Sequence, residues 1–129
     1  MAGKMRLLIA EDDELVLLGL KLVVEQLGHQ VYATARTAEE AVDIAECTLP
    51  DMALIDVGLA DGSDGLFATR EISGRLEIPV IVCSAHATEE QALGAGARRF
   101  LMKPFGIEAL AEAIDGIRGP HVAGATLAA

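Results

Sequence analysis

Cysteine is scarce in this chain of 129 residues: Cys47 and Cys83 stand 36 positions apart, with no CxxC pair and no Cys/His cluster. That argues against a disulfide framework or a structural zinc site and suits the reduced thiols of a cytoplasmic protein. Basic residues are few as well. Lys plus Arg total 10 against 20 Asp plus Glu, for a net charge of −10. Nucleic acid is gripped mainly through clustered Lys and Arg, so no nucleic-acid partner is expected. Long apolar runs are missing too. None approaches the ~20 residues that cross a bilayer, so no membrane partner is expected. The N-terminal Met1-Ala2-Gly3-Lys4 leads into a short apolar stretch broken by Arg6, which is not a signal peptide. What the chain does have is apolar content. At 52% hydrophobic residues, a chain of this length can bury roughly two-thirds of its unfolded surface. These features describe one soluble, acidic domain.

Short apolar runs alternate with longer amphipathic ones. Leu7-Leu8-Ile9-Ala10 is a continuous apolar run ending in acids, as a strand buried on both faces requires. The helix after it counts Leu15, Leu18, Leu22 and Leu27 among its apolar positions and stops at Gly28. Val31-Tyr32-Ala33 is a second strand, and Thr37 with Glu40 makes a capping box for a helix through about Cys47. Met52 to Ile55 is the third strand and ends at Asp56; a Gly/Asp/Ser loop, 58–65, precedes a helix through about Leu76. Val80 to Cys83 is the fourth strand, with a short helix from Thr88 halted at Gly94-Ala95-Gly96. Arg99 to Met102 is the fifth strand and Ile107 to Ile117 the fifth helix, leaving 119–129 as a short flexible tail. Five β-α units predict an α/β fold with a parallel sheet covered on both faces.

In such sheets ligands bind outside the carboxyl ends of the strands, where the strand order reverses. Glu11, Asp12 and Asp13 follow the first run, Asp56 the third, Ser84 the fourth and Lys103-Pro104 the fifth. Carboxylates converging from two strands repel each other unless a cation joins them. Hard oxygen donors suit Mg²⁺, or Mn²⁺ in its place. A lysine can hold one carboxylate and meet a phosphoryl oxygen, and a hydroxyl can donate to another. A carboxylate nucleophile, a dication, a lysine and a hydroxyl together form a site that accepts a phosphoryl group.

Four segments in order, Leu7 to Asp13, Ala53 to Val57, Val80 to Ala85 and Phe100 to Phe105, resemble the receiver domain of bacterial two-component response regulators. The resemblance implies a single doubly wound (βα)5, flavodoxin-like domain over 1–118, with strand order 2-1-3-4-5. It implies Asp56 as phospho-acceptor, with Ser84 and Lys103 acting on the phosphoryl group. Mg²⁺ would lie on Asp12, Asp56 and the Gly58 carbonyl, with Glu11 acting through water. A competing register pairs Asp12 with Asp13, although Asp13 is well placed to cap the first helix. Ser84 and Phe100 match the switch positions, and the Lys103–Pro104 bond is cis in similar proteins. The implied donor is a sensor histidine kinase or a histidine phosphotransfer protein, and the implied output is altered binding of a downstream partner protein. The implied class is a phosphorylation-controlled signalling domain rather than an enzyme acting on a metabolite.

The chain departs from the family pattern in two places. Asp56 and Gly65 are nine residues apart, one more than the common form, and Ala60 replaces a frequent proline. Ser84 and Lys103 are 19 apart, about a helical turn short, so the fourth helix is expected to be stubby. Gly3-Lys4 is not a P-loop, and the 61–72 segment lacks the glutamate of a calcium loop, having Ile72 in its place. Two rival readings remain at this level. One is a receiver-shaped interaction domain that works without phosphorylation. The other is an aspartate-dependent phosphatase or flavin carrier on the same architecture, against which Gly58 stands where a phosphatase's second Asp belongs.

Overall fold

Successive side chains of a strand point to opposite faces, and three of the five strands here supply buried apolar residues to both. In the computed structural model, which describes residues 3–118, the strands are β1 (Arg6–Ala10), β2 (Gln30–Ala35), β3 (Met52–Asp56), β4 (Val80–Ser84) and β5 (Arg99–Met102). All pairings are parallel, and the order is β2-β1-β3-β4-β5. Leu8, Ala10, Ala53, Ile55, Val80 and Val82 join one apolar cluster. Their neighbours Leu7, Ile9, Met52, Leu54, Ile81 and Cys83 join the other. The sheet is thus the wall between two cores.

The first cluster is closed by α2 (Ala38–Thr48), α3 (Gly65–Thr69, continued by a π-helical turn Arg70–Arg75) and α4 (Glu89–Gly94). The second is closed by α1 (Glu14–Gln26) and α5 (Ile107–Arg118). The fold is therefore the doubly wound, flavodoxin-like one expected. The fourth helix is short, at six residues. The expected tail, 119–129, lies outside the described residues. Among those residues no helix is long and apolar enough to cross a membrane.

Four helices start on a side chain that accepts from their free first-turn N–H groups: Asp13, Thr37, Asp64 and Thr88. One local expectation needs correction. The Glu40 carboxylate accepts from Arg36 N–H instead of from Thr37, so the capping box of α2 is displaced by one residue. On α1, Leu15, Leu18 and Leu22 face solvent, with Leu15 81% exposed, whereas Leu20 and Val24 fill the core. An α1 with apolar residues nearly all round cannot reveal from sequence which stripe turns inward.

Candidate functional site

The β1 and β3 carboxyl ends are adjacent because β1 pairs Ala10 with Ile55 of β3. Glu11 and Asp12 leave β1 there, and Asp56 ends β3. One carboxylate oxygen from each of Glu11, Asp12 and Asp56 lies within 4.8 Å of the other two. Glu11 is 2% exposed, and both its oxygens are engaged. Oε2 accepts from the Asp13 N–H at 3.1 Å, and Oε1 accepts from Lys103 Nζ at 2.8 Å. Lys103 Nζ also stands 3.4 Å from Asp56 Oδ2. One ammonium therefore bridges acids from two strands, and Asp12 completes the acid group without touching it within ion-pair distance. The Lys103–Pro104 peptide is cis.

The charges follow from that imbalance. Burial pushes the Asp56 carboxyl above its ordinary value of 3.8, and the Glu11 charge adds to the rise; Lys103 offsets only part of it. For Lys103, burial works against the ammonium. The hydrogen bond it donates to Glu11 and the charges of Asp56 and Glu11 outweigh it, so its pKa rises above 10.5. Cys83 is paired with Asp56 across β3 and β4; burial pushes its thiol up, and it is a neutral core group.

The other expected residues lie around this cluster. Asp13, the second member of the competing register, spends its carboxylate on the Leu15 and Val16 amides at 2.9 and 3.1 Å. Ser84 is buried, and its Oγ accepts from the His86 and Ala87 N–H groups at 3.1 and 2.8 Å. Its hydroxyl proton is the part left to donate. The Ser84 carbonyl accepts from Lys103 N–H at 2.9 Å, which ties the fourth and fifth strand ends together. Gly58 is exposed on the loop after β3, where it bridges Asp64. Phe100 pairs with Val82 and is partly buried against the α2–α3–α4 cluster, so it is already half inside rather than free in solvent. His86 is exposed.

Two residues escape the sequence reading. A Cβ on Gly65 would overlap the main-chain carbonyl oxygen of Asp56, so only glycine lets α3 begin against the acid's own backbone. The second is Arg36, at the end of β2. Its guanidinium Nη1 donates to the Asp12 carbonyl at 3.1 Å. Applying the strand-end rule to β2 as well as to the other four strands would have found it.

The donor chemistry fits a small hard dication. Three hard carboxylates crowd one hollow beside a single lysine, and the Glu11 charge adds to the rise that burial sets on the Asp56 carboxyl. Beside the hollow, a groove of about 510 Å³ runs between α1 (Leu15, Val16, Leu20) and the β5–α5 connection (Lys103, Phe105) with Ile107 at the start of α5. Its walls are mostly apolar.

Residues 7–115 match the family described as the response regulator receiver domain. The transcriptional regulatory protein PdtaR of Mycobacterium tuberculosis is 35% identical over 113 residues, covering 85% of this chain and 55% of PdtaR. The phyllosphere-induced regulator PhyR of Methylorubrum extorquens is 46% identical over 81 residues, covering 62% of this chain and 30% of PhyR. Among solved structures, the receiver domain of PhyR from Erythrobacter litoralis superposes with a TM-score of 0.77 at 31% identity, covering 89% of this chain and 90% of that one. The receiver domain of the putative response regulator NarL from Mycobacterium tuberculosis gives a TM-score of 0.82 at 27% identity, covering 92% and 99%. The chain spans about half the length of the PdtaR it matches.

Proposed function

The chain belongs to the response regulator receiver family, and from that membership we propose that it is the phospho-acceptor module of a two-component phosphorelay. Asp56 takes a phosphoryl group from the phosphohistidine of a sensor histidine kinase or a histidine phosphotransfer protein. A carboxylate oxygen of Asp56 attacks phosphorus, the P–N bond breaks, and the departing imidazole nitrogen takes a proton from solvent. Asp12, Asp56 and the Gly58 carbonyl would hold Mg²⁺, or Mn²⁺, with Glu11 acting through water. Bound there, the dication would supply positive charge to offset that on the transferring phosphoryl oxygens. The observation that carries this reading is the geometry of one lysine: Nζ lies 2.8 Å from Glu11 and 3.4 Å from Asp56. Asp12 completes an acid group in need of a second cation.

Lys103 and Ser84 are the donors to two phosphoryl oxygens. Phosphorylation adds charge and three strong acceptors at Asp56, and Ser84 is drawn toward them. The Ser84 hydroxyl already carries the His86 and Ala87 amides, so the loop into α4 follows it. Phe100 then settles deeper against the cluster it already touches, and the altered surface changes affinity for a downstream partner protein. The apolar groove beside Lys103 and the exposed Leu15 and Leu18 give the donor protein a surface to rest on.

Incubation with acetyl phosphate and Mg²⁺, read by intact mass, tests the proposal. One added phosphoryl group is expected, not formed when EDTA replaces Mg²⁺ and absent from Asp56→Asn. An unmodified wild-type chain would sink it and favour a receiver-shaped interaction domain that works without phosphorylation.

A further inference from the structure

Arg36 is the first residue beyond β2, and it is bonded to both loops that carry the proposed cation ligands. Its guanidinium Nη1 donates to the Asp12 main-chain carbonyl at 3.1 Å and lies 3.9 Å from Glu14 Oε2. Its own carbonyl accepts from the Ala60 N–H at 2.9 Å, two residues past Gly58. Its N–H donates to Glu40 Oε1 at 2.6 Å, which anchors it to the first turn of α2. Ser63 adds a second tie. Its Oγ accepts from the Ala38 N–H at 3.0 Å and donates to the Ala60 carbonyl at 2.8 Å. The 36–38 segment is thus a clasp joining the β1–α1 loop to the β3–α3 loop. The ion pair of Arg36 is with Glu14, so the Asp12 carboxylate is left for another cation.

The geometry points to Arg36 as a positioning residue for the cation site: it holds the Asp12 peptide and, through Ala60, the Gly58 loop in fixed relation to one another. This inference rests on the phospho-acceptor reading above. It extends that reading to a residue that touches neither the dication nor the phosphoryl group. Arg36 sets how tightly the dication is held, and through that the concentration of Mg²⁺ at which phosphorylation proceeds.

Charge and position make opposite demands here. By Coulomb's law alone, deleting a positive group beside an acid cluster favours a dication. Loss of the clasp disfavours it, because groups that orient metal ligands commonly govern affinity by tenfold or more. The direction of the change therefore separates the two effects.

The test is isothermal titration of the whole chain with Mg²⁺, with the thermal midpoint of the metal-free protein measured alongside. Arg36→Ala is expected to bind Mg²⁺ about tenfold more weakly. Arg36→Lys, which keeps a charged donor for the same carbonyl, should recover part of that loss. Ser63→Ala cuts the second tie without touching any charge and should weaken binding in the same direction. With acetyl phosphate, Arg36→Ala should need more Mg²⁺ yet reach the wild-type labelling rate at saturation. Affinity in Arg36→Ala equal to or tighter than wild type overturns the clasp and leaves the phospho-acceptor reading standing. A wild-type chain that takes up no Mg²⁺ overturns both.

Discussion

Replacing Lys103 with Met removes the one ammonium in the acid hollow while keeping a side chain of similar length. Glu11, 2% exposed, then keeps only the Asp13 amide as a partner. Asp56, with 14% of its side chain exposed, loses the group that partly offset its burial. Removing one partner of a fully buried pair costs about 3–5 kcal/mol, and because Lys103 keeps 21% of its side chain exposed the loss here should be nearer 2–3. In a urea titration with EDTA at neutral pH, that corresponds to a midpoint lower by about 1–2 M. Saturating Mg²⁺ should then shrink the gap. A ligand at a hundred times its dissociation constant adds about 2.7 kcal/mol to the form that binds it, and the variant, with no competing ammonium, binds the dication more tightly than wild type does. Equal midpoints in EDTA, or a gap that Mg²⁺ leaves unchanged, would refute the argument that Lys103 and a dication share one electrostatic task.

The Asp56 carboxyl is raised above 3.8 in the folded chain. Its contribution to stability is therefore present below 3.8 and lost as pH rises through the raised value. Ionised Asp56 costs stability at neutral pH, so Asp56→Asn should be more stable there by about 1 kcal/mol. The advantage should fade as acid protonates the wild-type carboxyl, and thermal midpoints across a pH series would check it; a gain that grows in acid contradicts the sign. Gly65→Ala drives a Cβ into the Asp56 carbonyl, and since backbone cannot yield as a flexible side chain does, about 1–3 kcal/mol should be lost. Labelling should fall with it. Gly74→Ala, where an added Cβ meets nothing within 4 Å, is the matched control and should leave both measurements nearly unchanged.

The strand segments were legible because their pattern is local. Four apolar residues before an acid in Leu7–Ala10, and the similar runs at Met52–Ile55 and Val80–Cys83, can only be strands buried on both faces, as the two clusters bear out. The helix starts at Thr37 and Thr88 were legible for the same reason, since a cap and its amides are three residues apart. Glu11, Asp12, Asp56 and Lys103 could be nominated from their places at strand ends, because a parallel sheet sends all those ends to one edge.

What sequence could not supply is whatever depends on which groups face each other across long separations. The inward stripe of α1 is one case: apolar residues cover most of its circumference, and only packing on the sheet picks Leu20 and Val24 over Leu15, Leu18 and Leu22. The choice of Lys103 for Glu11 at 2.8 Å ahead of Asp56 at 3.4 Å is another, set by a contact between residues 92 positions apart. The bonds of the Arg36 clasp and the close approach at Gly65 belong here too, since each meets a main-chain carbonyl, Asp12's or Asp56's, that the sequence does not mark out. Local sequence decides what a segment becomes and which residue types reach the rim. Pairing energies and distances at that rim depend on three-dimensional proximity, and proximity exists only once the five strands have aligned.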